Sequence, residues 1–230
     1  MTADFRRPPT AQEAVLAQLR EWITAGRLRP GDQIRQDELA AELGVSRVPL
    51  REALKILEGE GQVTYVARRG YFVTRLSLAD LLEVYRIREL LEAEAIRLAV
   101  AQLTSEGLRR LEQAGRDVDA AAQALDMAAM TAANRRFHRA LIDGCGMPRL
   151  IRLIEQLWDA TEVYRLVYFS QEHHRDIAVA EHRAVVDAVR AGEPEEALAV
   201  LGRHREHAIE ALRPVLRCLD EAAAATGTPS

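Results

Sequence analysis

The chain has 230 residues, 48% hydrophobic and only 5% aromatic, enough apolar material for one large or two modest domains with a core of Leu, Ala, Val and Ile. Its net charge of −4 conceals an asymmetry: residues 1–76 carry 12 Lys+Arg against 10 Asp+Glu, a balance of +2, and the remainder carries −6. No apolar run is long enough to span a bilayer, the N-terminus lacks a signal-peptide stretch, and Cys145 and Cys218 form no metal or redox spacing, so a cytoplasmic protein with no membrane partner is expected.

Residues 1–9, with paired arginines and paired prolines, read as a flexible arm. From Thr10 to Ala25 the apolar residues Ala14, Val15, Leu16, Leu19, Trp22 and Ile23 recur at helical spacing, with Thr10 as N-cap. Leu28-Arg29-Pro30-Gly31-Asp32 then breaks the helix. Two short helices follow, about Gln36 to Leu43 and Arg47 to Glu60, joined by a tight turn at Gly44; this is a helix-turn-helix. Val63-Thr64-Tyr65-Val66 and Tyr71-Phe72-Val73 flank a Gly-containing turn and read as a hairpin, which makes the first domain a winged helix over residues 10–75. Ser77 can cap a long helix reaching about Leu103. Beyond it the chain breaks near 104–105, 143–148, 170–174 and 192–194, with helical periodicity and no strand pattern between. Leu150, Leu153, Ile154, Leu157, Trp158 and Thr161 mark one helix face. The expected fold is therefore mainly α: an N-terminal winged helix-turn-helix plus a C-terminal all-helical bundle of six or seven helices over residues 78–218, with a tail over 219–230.

A recognition helix must present its first turn to base edges and phosphates. Here that turn is Ser46-Arg47-Val48-Pro49-Leu50-Arg51. The Ser46 hydroxyl can cap the helix, and Pro49 is tolerated because early helical amides have no intrahelical partner. Arg47 and Arg51 are four apart and share one face, while Leu50, Leu54 and Leu57 share another that should enter the core. The alternative for the arginines is an ordinary solvated face with salt bridges. Arg68, Arg69 and Gly70 sit at the hairpin tip, where arginines suit the minor groove, and Arg35 stands ahead of the first helix within reach of phosphate.

Residues from about 10 to 75 resemble the GntR family of bacterial transcription regulators, on the strength of Leu43-Gly44-Val45-Ser46-Arg47 followed by Pro49-Leu50-Arg51-Glu52-Ala53-Leu54. Residues from about 78 to 214 resemble the helical FCD effector domain of its FadR-type branch. The resemblance implies a homodimer made through the helical domain, with two winged helices reading an inverted-repeat operator in double-stranded DNA. One position departs from the pattern. Where some members carry a DNA-contacting arginine before the Glu-Leu of the second helix, this chain has Asp37, so that contact is lost or is replaced from Arg35.

The histidines of the second domain also need an explanation. Asn134 and His138 lie at i and i+4 and face one way from one helix. His182 and His204 fall on two later helices that can return antiparallel to the same level across the Gly192-Glu193-Pro194 break. Three imidazoles and one amide oxygen can close around a divalent metal in a bundle interior. The alternative is a set of surface or satisfied core histidines, the class in which His173, His174 and His207 are placed. The resemblance implies the metal, because FCD domains commonly bind one through an Asp or Asn, a His four residues later and two further histidines. Asn134, His138, His182 and His204 match that pattern. Asn134 stands where aspartate is more usual, and histidine ligands favour Zn or Ni over Mg. Arg88 matches the family's arginine on the first helix of this domain and can clamp a carboxylate effector by a bidentate bond; its alternative is an intrahelical pair with Glu92. Met147, where asparagine often stands, is a second departure.

These features lead to the expectation of a ligand-responsive repressor, not an enzyme, released from its operator by a small carboxylate metabolite. The rivals are a metal-dependent enzyme with a DNA-binding appendage and an architectural DNA binder. Against the enzyme, there is no His-Glu-x-x-His helix and no nucleophile elbow.

Overall fold

The computed structural model describes residues 8–226, which form two compact units dividing between Arg75 and Leu76. The N-terminal arm suggested by the sequence falls, for residues 1–7, outside the described residues.

The first unit opens with α1 (Ala11–Thr24). Thr10 caps it: its hydroxyl accepts from the Glu13 amide at 3.2 Å, and the Glu13 carboxylate accepts from the Thr10 amide at 2.7 Å, a reciprocal capping box. A two-residue strand, β1 (Gln33–Ile34), precedes α2 (Gln36–Leu43) and α3 (Arg47–Gly59). Gly44, at φ 65°, takes the left-handed conformation that ends α2 and turns the chain into α3. Leu50, Leu54 and Leu57 of α3 are wholly buried, as their spacing requires, and α3 packs chiefly on α1.

The hairpin consists of β2 (Val63–Val66) and β3 (Gly70–Val73), with Tyr65 opposite Tyr71. β1 adds to the other edge of β3, pairing Gln33 with Phe72, so the sheet order is β1-β3-β2 and all pairs are antiparallel. The sequence reading missed β1. Two residues show no alternation, and the strand exists only because β3 offers it an edge.

Among the described residues the second unit has six α-helices: α4 (Leu78–Ala101), α5 (Ser105–Gln123), α6 (Met127–Ile142), α7 (Pro148–Phe169), α8 (Glu172–Ala191) and α9 (Pro194–Thr226), with a 3-10 turn at Asp143–Cys145. Ser77 caps α4 through a capping box with Asp80. The break between α5 and α6 was not read from the sequence, because this alanine-rich stretch contains neither Gly nor Pro. It is made by Leu125 at φ 55° and by Asp126, whose carboxylate accepts from the Ala129 amide at 2.9 Å. α8 starts at Glu172, inside the stretch 170–174 read as a break, and α9 runs to Thr226, so residues 219–226 are helical where a tail was expected. Residues 227–230 lie outside the described residues.

The bundle core includes Leu81, Ile96, Leu111, Phe137, Ile154, Phe169, Val185 and Leu212. Leu153, grouped with Leu150, Ile154 and Trp158 on one face of α7, is 52% exposed, whereas those three are buried. Among the described residues no helix is long and apolar enough to cross a membrane.

Candidate functional site

Burial of Leu50, Leu54 and Leu57 fixes which way α3 faces, and it leaves Arg47, Val48 and Arg51 exposed to solvent. Val48, an apolar side chain between two arginines, is 63% exposed. Pro49 is part-buried. Ser46 occupies the N-cap position with extended backbone, but its hydroxyl makes no capping hydrogen bond, contrary to the expectation that it would. Asp37, the departure noted above, forms an ion pair with Arg47, and both side chains are largely exposed. Arg35 pairs with Glu38 at 3.1 Å. Surface pairs of this kind are worth about 0–1 kcal/mol, so the arginines can exchange them for phosphate at little cost. At the hairpin tip Arg68 and Arg69 are exposed, Arg68 and Gly70 have φ of 66° and 92°, and the Arg69 guanidinium lies 5.1 Å from the Phe72 ring centre.

In the second unit α6 carries Asn134 and His138 on one buried face, α8 supplies His182 and α9 supplies His204. The three imidazoles converge: ring centres are 5.4 Å apart for His138–His182, 5.6 Å for His138–His204 and 5.1 Å for His182–His204. One nitrogen from each lies within 4.8 Å of the others. Phe137 packs on His182, with ring centres 4.2 Å apart. Asn134 lines the same cavity as His138, together with Thr131, Arg135, Trp158, Glu162 and Arg165.

The electrostatics of the cluster suit a ligand set. Burial pushes His138 and His182 well below the usual imidazole range, and neighbouring histidines and Arg165 add to the effect. The rings are therefore neutral near pH 7, with lone pairs available. Asn134 Oδ1, His138 Nε2 and both ring nitrogens of His182 are buried with no hydrogen-bond partner. Leaving such atoms unsatisfied is costly, and a divalent cation would satisfy the Asn134 oxygen and one lone-pair nitrogen from each ring, while the second His182 nitrogen is an N–H donor that a cation leaves unpaired. His204 Nδ1 bonds Glu181 at 2.7 Å, which directs the other nitrogen toward the cluster. Glu181 also holds His207 Nδ1 at 2.8 Å. Glu181 carried no role in the sequence, and His207 falls in the class of surface or satisfied histidines where its sequence placed it. Adjacent residues on a helix diverge, and only the packing of α9 against α8 reveals this second layer. The donor set fits the implied metal.

Arg88 is 2% exposed and donates from Nε to Glu92 at 3.0 Å, so the intrahelical pair is made. Glu92 also accepts from Trp158 Nε1 at 2.7 Å and from Arg205 Nη1 at 3.1 Å. Burial alone would raise the Glu92 carboxyl; Arg88, Arg205 and the indole donor outweigh it and hold it below the usual carboxylate range. The Arg88 Nη1 remains buried without a partner. The sequence pointed to Glu92 only as an intrahelical partner of Arg88 and to Trp158 only as part of a helix face, and Arg205 carried no signal.

Comparison with known proteins accords with both halves of this description. Residues 11–73 match the family model for bacterial regulatory proteins of the gntR family, and residues 83–207 match the FCD domain. The chain is 30% identical to the HTH-type transcriptional regulator YdhC of Bacillus subtilis over 200 residues, 86% of this chain and 89% of that protein. It is 34% identical to a probable D-xylose utilization operon transcriptional repressor of Paenarthrobacter nicotinovorans, over 83% of this chain and 85% of the relative. The solved structure of McbR/YncC from E. coli superposes with a TM-score of 0.79 at 26% identity, covering 90% of this chain and 99% of that one. These relatives are named as transcriptional regulators, which sets aside the enzyme reading. The chain belongs to the GntR family of bacterial transcription regulators, in the branch that joins a winged helix-turn-helix to an FCD domain.

Proposed function

We propose that this regulator is a homodimeric repressor that binds an inverted-repeat operator through α3 and the hairpin tip and is released by a small carboxylate metabolite. The observation that carries the ligand response is the buried cluster of Asn134, His138, His182 and His204, whose orphaned acceptor atoms call for a cation. These four residues would hold a divalent ion, Zn or Ni by the softness of their donors, and the bound ion would supply a Lewis-acid anchor for the carboxylate. Arg88, through its free Nη1, would orient that carboxylate. Because α6, α8 and α9 each contribute a ligand, an acid at the centre changes how these helices pack. The coupling to operator affinity needs only about 1–3 kcal/mol of differential binding between two states. Arg47, Val48, Pro49 and Arg51 would read bases and phosphates, assisted by Ser46, Arg35, Arg68, Arg69 and Gly70.

The test combines both halves. A DNA duplex recovered by in vitro selection is titrated with the full chain, with and without Zn²⁺ and a panel of organic and sugar acids. An acid that weakens binding only when the metal is present supports the proposal. If neither metal nor any acid alters thermal stability or DNA affinity, the ligand response is wrong for this protein. Arg51→Ala should abolish selection of the same sequence; unaltered protection by this variant would refute the assignment of α3.

A further inference from the structure

Among the described residues of the first unit two large apolar side chains are exposed, Val48 at 63% and Tyr65 at 52%. Tyr65 rests its ring on Tyr71 across the hairpin, with ring centres 5.1 Å apart. Val48 has a different setting. It is the second residue of α3, in the turn that a recognition helix presents to base edges. At roughly 100° per residue it lies on the side of the helix opposite the one that Leu50, Leu54 and Leu57 bury. Its isopropyl group is therefore not part of the core, and a β-branched residue gains nothing there from helix propensity. Single apolar residues on a surface are common and signal nothing by themselves. This one stands between two exposed cations, Arg47 and Arg51, at the leading end of the helix.

The chemistry of the base edges limits what valine can recognise. Its side chain has neither donor nor acceptor. In the major groove guanine, adenine and cytosine present hydrogen-bonding groups, and thymine alone adds an apolar one, the C5 methyl. Against valine the amino group of adenine or cytosine would lose water without gaining an acceptor, which is unfavourable. A methyl against valine is instead removed from water, which is favourable. Valine in a helix is held in one strongly preferred χ1 rotamer, so little side-chain freedom is lost on contact. The flanking arginines can bind phosphate or guanine, which sets the register without deciding the base at Val48.

We propose that Val48 reads the C5 methyl of a thymine in each half-site of the operator. The inference rests on the proposed reading of DNA by α3, and it adds the base that this helix selects and the group on that base that it recognises.

The experiment uses the duplex that in vitro selection recovers with the full chain. Each thymine in turn is replaced by uracil, which pairs in the same way and lacks only the methyl, first in one half-site and then in both. Fluorescence anisotropy at one fixed salt concentration gives the affinities. At one position the wild type should lose about fourfold for a single half-site and about fifteenfold for both, the effect of one buried methyl each time. Val48→Ser should bind the thymine and uracil duplexes of that position within about twofold of each other. Its melting temperature should match the wild type, because the position is exposed. Wild-type binding that is indifferent to uracil at every position overturns the inference. So does a loss of the same size in the wild type and in Val48→Ser, which marks duplex shape or a methyl read by another residue. Arg51→Ala separates this inference from the reading beneath it, since it should weaken the thymine and uracil duplexes alike. If selection returns no preferred sequence, or Arg51→Ala binds as the wild type does, the assignment of α3 fails and this inference with it.

Discussion

Replacing Glu92 by glutamine tests whether the buried charge cluster is as closed as its geometry indicates. The carboxylate accepts from Trp158 Nε1, Arg88 Nε and Arg205 Nη1 at 2.7, 3.0 and 3.1 Å. Glutamine has the same shape, but its amide nitrogen turns one acceptor into a donor facing donors, and its neutrality leaves two guanidiniums, 2% and 8% exposed, without a counterion. Breaking a buried pair from one side costs about 3–5 kcal/mol, because the stranded charges keep their desolvation penalty. Removing all three charges is a different matter: Arg88→Met, Glu92→Leu and Arg205→Met together should leave stability within ~1 kcal/mol of wild type or raise it. Urea unfolding followed by Trp158 fluorescence, in a Trp22→Phe background, reads the helical unit alone, since the chain has only these two tryptophans. A loss below about 1 kcal/mol for Glu92→Gln would mean that water reaches the cluster, and the argument from uncompensated buried charge would fail.

Three further outcomes follow from the structure. Leu54→Ala empties a wholly buried position on α3 and should cost about 2–5 kcal/mol, read as an early transition of Trp22 fluorescence; a loss under ~1 kcal/mol would contradict the burial. Glu181→Gln weakens the partner that orients His204, so zinc affinity in chelator competition should fall about 10–100-fold, and an unchanged affinity would show that Glu181 does not support the site. Without metal, the folded state holds His138 and His182 neutral while the unfolded chain takes up protons near pH ~6.5, so their contribution is fully present above that pH and is lost as pH falls below it. Each histidine should remove about 1.4 kcal/mol per pH unit, and a urea midpoint that stays flat between pH 7.5 and 5.5 would refute this.

Much of the fold was legible in residue order because its signals are local. Caps at Thr10 and Ser77, the Gly44 turn and the leucine spacing of α3 each act within a few residues, so they read correctly without a partner. The hidden break at Leu125–Asp126 was missed because its turn is made by a leucine in a left-handed conformation, a choice no local rule favours. Strand β1 was missed because its pairing belongs to residues nearly forty positions away.

The candidate site divides along the same line. Sequence alone determined which residues offer metal-ligand chemistry, since an i, i+4 Asn and His and two later histidines are a matter of side-chain type and helical period. It could not determine what surrounds them, because burial, partner and charge balance are set by helices that meet only in three dimensions. Packing of α4, α7 and α9 brings Trp158 and Arg205 onto Glu92, and packing of α8 on α9 brings Glu181 onto His204. Whether an arginine is paired or waiting for a ligand depends on desolvation and on the nearest carboxylate, and only the tertiary structure decides both.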